Sequence, residues 1–525
     1  MKKTKLTTAG KALIFGLVLL IVAGVTYFAG GFNAVSNLFS GSDDSGSTQS
    51  EKVDIVGSGS TKDDGVINVS LDEWIGWKSV IDANGGLETA KGSIYDKLGI
   101  KVKIHVINDA NQSSNALIKG DLDGAGYTVN RYAFLYPKFK ENGVNVVMPY
   151  VTNFSSGGDG IISKSDINSV EDLVGKKIAV PRFSEAQTLV EWLLAKSDLS
   201  DKDVKEIRKN MVMFDTPDDA AKAFFAGQVD AAATWQPYLS QAQETTGAKL
   251  LFSTKVAENI ILDGIVFRQD FIDKNKEAVV KFTEGALEAM DLYTKEFSPI
   301  KDTMPLFATE SNENIVAMAG DAKLASYNEN KSLLTNEAVT LFTDMSNIWK
   351  TLGETSFPDE AKKAFTTSII DSVDSKFASS VTADTNKPKF TEEKRQEAKQ
   401  VDNVNSLLKQ SATIEFQPNS AAFANAAEAS KVLEEFVKTA QILNGSIIQI
   451  EGNVNNTGAG NDEAISKKLS EQRAKAVAMY LQQQGVDATR FVVVGNGTTK
   501  QIGDNNTEAG KAQNRRTDVF FKIVE

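Results

Sequence analysis

The chain has 525 residues, a formal net charge of -12, one histidine and no cysteine. That length leaves room for two or more domains that bury cores without covalent staples, and the acidic balance argues against a nucleic-acid partner. A zinc site, a cysteine nucleophile and a Ser-His-Asp triad all lack their residues, so enzymatic function is disfavoured and no cofactor or metal is expected.

Lys2, Lys3, Lys5 and Lys11 precede an uncharged apolar run over residues 12–32. Such a run is long enough to cross a hydrocarbon core of about 30 Å as a helix rising about 1.5 Å per residue. A cleaved signal peptide has a shorter apolar region and a small-x-small exit. Only Ala29-Gly30-Gly31 offers that exit, after a stretch already long enough to span. The expectation is an uncleaved transmembrane anchor over 12–32 behind a basic cytoplasmic segment, 1–11. The lysines come before the run and Asp43 and Asp44 after it, which puts everything beyond residue 33 outside the membrane. Without cysteine there is no lipid-modified anchor and no disulfide framework. Residues 33–65, rich in Gly, Ser and Asp, read as a flexible tether spanning about 30 Å on average and about 110 Å when stretched.

Beyond the tether, strand-like runs alternate with helical patterns. Val66-Ile67-Asn68-Val69, residues 101–107 and Lys177-Ile178-Ala179-Val180 have strand character, while helices are expected near 115–119 and from about Glu185. This alternation predicts an α/β fold with helix-covered sheets over 66–372. His105 falls with Lys101 and Lys103 on the polar face of its strand, a solvent-facing position. Residues 373–405 are poor in apolar side chains and include Asp384, Lys387, Pro388, Lys389 and a charged run over 392–399. They are expected to link the α/β domain to a second domain at 406–525, with a partly helical second half.

Four stretches stand in order within the first domain: Leu117-Ile118-Lys119-Gly120-Asp121-Leu122-Asp123-Gly124, Gly157-Gly158-Asp159-Gly160-Ile161-Ile162, Val170-Glu171-Asp172-Leu173-Val174-Gly175-Lys176-Lys177, and Ala226-Gly227-Gln228-Val229-Asp230-Ala231-Ala232-Ala233-Thr234-Trp235-Gln236-Pro237-Tyr238. The series resembles the periplasmic substrate-binding proteins of ABC importers, in the branch with nitrate-, sulfonate-, taurine- and thiamine-precursor-type binders. The resemblance implies a type II periplasmic-binding-protein fold, with two α/β lobes, a hinge and a cleft that closes on a small solute. It also implies an ABC permease as partner.

Ligand contacts are then expected on loops that follow strands. Trp74 and Trp77, beside Gly76, suit a wall that stacks on a flat or methylated solute, or else cover a lobe core. Thr128 and Asn130 are candidate polar contacts, and Arg131 either pairs with a carboxylate ligand or makes an ordinary ion pair. Ser184 begins an S-x-x-Q capping box with Gln187, which places it at a helix N-terminus open to an anion or engaged only in capping. Trp235 matches the family's aromatic at the crossing between lobes. Asp263 interrupts an apolar strand and either holds an amine or makes a hinge-side hydrogen bond.

The end of the chain carries Ile450-Glu451-Gly452-Asn453-Val454-Asn455-Asn456-Thr457-Gly458, then Leu469-Ser470-Glu471-Gln472-Arg473-Ala474, and Asn514-Arg515-Arg516. These motifs resemble the OmpA-like peptidoglycan-binding family, an α+β domain that clamps a stem-peptide residue between an aspartate and an arginine. The resemblance places the arginine at Arg473, whose guanidinium offers the fork a carboxylate needs. Asn455 stands where the aspartate is expected and forfeits its charge, while Ser466 replaces a usual asparagine. Arg515 and Arg516 line the same groove or pair across a last strand, 517–524, whose alternation is that of an edge strand. Peptidoglycan binding is retained, weakened or lost on this reading.

Two functions of different class follow. One is a membrane-anchored extracytoplasmic solute-binding protein serving an ABC importer and tethered to the cell wall. The other is a non-transport envelope scaffold or ligand sensor that links membrane and peptidoglycan.

Overall fold

The computed structural model describes residues 64–379, 390–400, 406–456 and 462–523. The transmembrane anchor expected at 12–32, and the tether up to residue 63, lie outside the described residues. Among the described residues no helix is long and apolar enough to cross a membrane.

The first lobe begins with β1 (Val66–Leu71), β2 (Lys101–Val106), β3 (Gly124–Thr128) and β4 (Val146–Ser155). The chain then crosses to a second lobe built on β5 (Asp159–Lys164), β6 (Ile178–Pro181), β7 (Met211–Phe214), β8 (Ala231–Trp235) and β9 (Ala248–Ser253). It returns with β10 (Leu262–Arg268) and β11 (Ala322–Leu324). The two sheets run β11-β4-β10-β3-β1-β2 and β7-β6-β8-β5-β9. Every residue of β4 and β10 is buried, as expected of central strands covered by helices on both faces. Two crossings, β4 to β5 and β9 to β10, join the lobes and give the two-lobed α/β fold its hinge.

Helix α1 (Val129–Glu141) follows β3 at once, and α2 (Glu185–Lys196) follows β6. Both start at side-chain caps. Thr128 Oγ1 accepts from the Arg131 N-H at 3.0 Å and Ser184 Oγ from the Gln187 N-H at 3.2 Å, each satisfying an otherwise orphaned donor. His105, on the solvent side of β2, lies 3.2 Å by its Nε2 from Asn68 Oδ1.

The terminal domain is α+β: β12 (Leu408–Ala412), α3 (Ala426–Ile442), β13 (Ile447–Gly452), α4 (Glu463–Gln483), β14 (Phe491–Gly495) and β15 (Thr517–Lys522), with sheet order β12-β15-β13-β14. Here the structure corrects an expectation, because β15 is an interior strand and all six of its residues are buried. Its polar side chains mimic a solvent face but have internal partners. Lys522 Nζ donates to Ala398 O at 2.8 Å and Gln449 Oε1 at 3.0 Å, and Asp518 accepts from Ser411 and Arg516. The helix Glu392–Gln400, expected as part of a connector, lies against this sheet, with Ala398 packed on Ile447 and Val492.

The terminal domain rests on the second lobe. Lys196 pairs with Glu435 at 2.8 Å, the Ser411 N-H donates to Asp198 Oδ1 at 2.8 Å, and the Gly445 N-H donates to Val256 O, in the return crossing, at 3.0 Å.

Candidate functional site

Loops at the ends of strands from both lobes enclose a cavity of about 30 Å³. A single water needs about 10–15 Å³ of such space, so the cleft between the lobes is narrow. The first lobe supplies Asp72 and Trp74 after β1, Tyr127 and Thr128 at the end of β3, Arg131 from the first turn of α1, and Asp263 from β10. The second lobe supplies Asp159 at the start of β5, Glu185 at the start of α2 and Trp235 at the end of β8. Small residues make room for the aromatics. A Cβ on Gly126 would stand 2.9 Å from the Trp77 ring, and one on Gly158 would collide with Trp74.

Four carboxylates and one guanidinium meet here. Arg131 Nη2 lies 2.9 Å from Glu185 Oε2, an ion pair between the lobes. Burial works against the Arg131 cation, but Glu185 and Asp72 more than offset this and hold its pKa above the usual value. Burial pushes the Asp72 carboxyl up to about 6, although Trp77 Nε1 donates to its Oδ1 at 2.5 Å. Asp159 accepts from Ser155 Oγ at 2.7 Å and is pushed up to about 7 by burial, with Glu185 adding to the shift. Asp263 is raised well above the carboxylate range by burial and by its neighbours Asp72 and Asp159. It is 3% exposed, and its Oδ2 has no hydrogen-bond partner among the described residues. Burial also raises the Tyr127 phenol, which shares a hydrogen bond of 2.8 Å with Ser113 Oγ.

Of the first-domain candidates, Trp74, Thr128, Arg131, Trp235 and Asp263 are brought together around this cavity. Three are placed elsewhere. Trp77 is 1% exposed in the lobe core and reaches the site only through its bond to Asp72. Asn130 is fully buried behind the cavity, donating to Thr188 Oγ1 of the second lobe at 2.9 Å and to Ile260 O at 3.1 Å. Ser184 is consumed in capping, with its own hydroxyl donated to Pro181 O at 2.7 Å. The expected capping box is not reciprocal, since Gln187 Oε1 accepts from the Phe183 N-H and not from that of Ser184. Asp72, Asp159, Glu185 and Tyr127 also line the cavity and are not among the residues expected from the sequence. Only their convergence from separate strands marks them.

In the terminal domain, Arg473 on α4 donates through Nε to Ser420 O at 3.0 Å, with its guanidinium 4.9 Å over the Phe416 ring. Burial and the nearby Arg515 lower its pKa. Arg515 and Asn455 are half-buried, while Ser466 is 7% exposed on the packed face of α4. Asn453 is engaged internally: its Nδ2 donates to Asp518 Oδ2 at 2.9 Å and its Oδ1 accepts from Asn496 at 3.0 Å. Arg516 pairs with Asp518 at 3.0 Å, while Arg515 lies close enough to Arg473 to lower its pKa.

Residues 89–296 match the family model described as NMT1/THI5 like, and residues 415–515 the one described as OmpA family. The chain is 39% identical over 73 residues to the outer-membrane lipoprotein YfiB of Pseudomonas aeruginosa, which is 14% of this chain and 42% of that protein. It thus spans less than half of that relative. It is 24% identical over 290 residues to a protein of Brucella abortus named as a binding protein, covering 54% of this chain and 86% of the relative. Among solved structures, the alkanesulfonate-binding protein SsuA from Xanthomonas axonopodis bound to MOPS is 17% identical, with 57% of this chain and 98% of that one covered and a TM-score of 0.45.

Proposed function

We propose that this chain, which joins an NMT1/THI5-like domain to an OmpA-family domain, is an extracytoplasmic solute receptor of the ABC-import type held at the cell wall. The observation that carries the reading is the interlobe cavity, lined by three aromatics, Trp74, Tyr127 and Trp235, and by buried polar groups from both lobes. A hinged cleft of this kind captures a solute by binding it more tightly when shut than when open. An ABC permease is the natural acceptor of the captured solute. The apolar run at 12–32 anchors the chain with its N-terminus in the cytoplasm, and Arg473 with Asn455 and Arg515 forms the groove that meets a peptidoglycan stem peptide.

The test is to purify the intact protein under non-denaturing conditions and identify small molecules released on unfolding by mass spectrometry. A defined solute released by the wild type and absent from Trp235→Ala supports the receptor. A preparation that carries and binds no solute, yet is retained on peptidoglycan, supports the sensor or scaffold. One contact favours a sensing role beside capture: the Gly445 bond to Val256 ties the wall-facing domain to a strand crossing that cleft closure must bend.

A further inference from the structure

The cleft's inventory of donors and acceptors is lopsided. Its one cation, Arg131, is engaged by Glu185. The indole N-H of Trp74 donates to Asn153 Oδ1 at 3.0 Å and also acts on the Asp263 carboxyl, and that of Trp235 donates to Asp218 Oδ1 at 3.0 Å, so what the two walls leave open is ring surface. The Asn108 amide is likewise given to Glu73, and the N-H groups of Phe183 and Gln187 at the start of α2 are already capped. An anion entering this space finds open donors only at the Nη1 edge of Arg131 and the Thr128 hydroxyl, and faces four carboxylates.

Acceptors, by contrast, are in surplus. With Arg131 matched against Glu185, three acids remain: Asp72, Asp159 and Asp263. Asp263 Oδ2 is buried at the cavity without a partner. A buried carboxyl oxygen without a donor is costly, and an ionised carboxylate only accepts. Burial favours the protonated form of Asp263 in the empty cleft, and the component that would let this buried group ionise and accept is a donor that carries positive charge. Trp74 and Trp235 add ring faces whose quadrupoles attract cations. Among the described residues no group of three or more His, Cys, Asp or Glu side chains is arranged to hold a metal ion.

We infer that the cleft binds a small organic cation with N-H donors, a protonated amine or diamine whose ammonium group bonds to Asp263 and is flanked by Asp72 and Asp159. The inference rests on the receptor reading and assigns that receptor's ligand class. A quaternary ammonium fits less well, because it cannot supply the hydrogen bond that Asp263 lacks.

Calorimetry and thermal shift on the intact chain at pH 8 test this with 1,4-diaminobutane and benzylamine as cation probes, 1,4-butanediol as a neutral match and ethanesulfonate as an anion. The amines should raise the melting temperature and the diol and sulfonate should not. Asp263→Asn should weaken amine binding by about tenfold or more, the size of a lost bond to a charged group. Its ligand-free melting temperature should hold or rise, since the change removes a buried acid, and Asp159→Asn serves as the second variant if the first fails to fold. Failure of both amines, or equal affinity in the folded variants, overturns the assignment. Ethanesulfonate binding in their place leaves the receptor standing with the opposite ligand sign. No binding by any probe, together with no co-purifying solute, brings the receptor reading down as well.

Discussion

The Arg131 guanidinium on the first turn of α1 and the Glu185 carboxylate at the head of α2 meet at 2.9 Å, one from each lobe. Their side chains are 24% and 7% exposed, so solvent screens this pair less than an ordinary surface bridge. It joins the two lobes, as does the buried Asn130 bond to Thr188 behind it. Glu185→Gln breaks the pair and makes the cleft less acidic, and both changes oppose closure on a cation. Affinity for 1,4-diaminobutane should fall on the order of tenfold, within the range measured for partly buried charge pairs. Fluorophores placed on the two lobes should report a more open resting form. Unchanged affinity and distance would show that the pair does not govern closure.

The raised acids make both stability and binding depend on pH, in opposite directions. Asp72 and Asp159 titrate near 6 and 7 in the fold and near 4 when unfolded. Between those values the native state holds more protons than the unfolded one, so their contribution is fully present below pH 4 and lost as pH rises through 7. The ligand-free melting temperature should therefore decline from about pH 4 to about pH 7 and then level off. Asp82, raised to about 7 by burial despite Lys78, adds to the same decline from outside the cleft. A bound cation favours the ionised acids and must displace their protons, so its affinity should climb from pH 5 to pH 8. The groups facing this titration are Glu185, Asp263, Arg131 and Tyr127, of which Arg131 stays charged and Tyr127 neutral throughout. Calorimetry in buffers of different ionisation enthalpy counts the released protons. An affinity flat in pH would mean that Asp72 and Asp159 do not face the ligand.

The fold was largely legible because its signals are local. The apolar runs of β1, β2 and β6 and the Ser184 start of α2 each declare themselves within a few residues. The site was half legible. Trp74, Trp235 and Asp263 stand out because a large aromatic or an acid at the end of a buried strand has few other uses. Trp77 carries the same signal three residues on, yet the turn at Ile75–Trp77 rotates it into the core, a direction that spacing alone does not encode. Asp72, Asp159 and Glu185 look like any solvated acids in one dimension, and only the closure of two lobes makes them neighbours. β15 misled for a related reason. Alternating polar residues mark a solvent face only if nothing covers it, and here Lys522 and Asp518 are met by the helix at 392–400 and by β12 and β13.

Ser184 separates a helix-cap role from a ligand role. Its hydroxyl both caps the Gln187 N-H and donates to Pro181 O, and it does not line the cavity. Ser184→Ala should cost about 1 kcal/mol of folding stability, the usual worth of such a cap, and leave the affinity for 1,4-diaminobutane unchanged. Denaturant titration measures the first and calorimetry the second. A large loss of affinity at unchanged stability would place the start of α2 in the binding site after all.

The terminal groove offers a gain-of-function test. Arg473 is fixed by its Nε bond to Ser420 O and by the Phe416 ring beneath it, and no hydrogen bond among the described residues uses its outer Nη edge. With Arg515 near it, this guanidinium is suited to a carboxylate. On the proposed clamp Asn455 carries an uncharged amide, so an ammonium group there would find a neutral acceptor. Asn455→Asp supplies the charge, and a charge-assisted bond is roughly twice as strong as a neutral one. Retention on purified peptidoglycan should rise severalfold in this variant, and Arg473→Ala should abolish the gain. Asn453→Asp makes a sharp contrast two residues away. Asn453 Nδ2 donates to Asp518, so an acid there would set two buried carboxylates against each other and lower stability without improving retention. Equal retention of Asn455→Asp and wild type would mean that the groove no longer works by an acid-arginine clamp, and that the domain holds its place in the envelope by another surface.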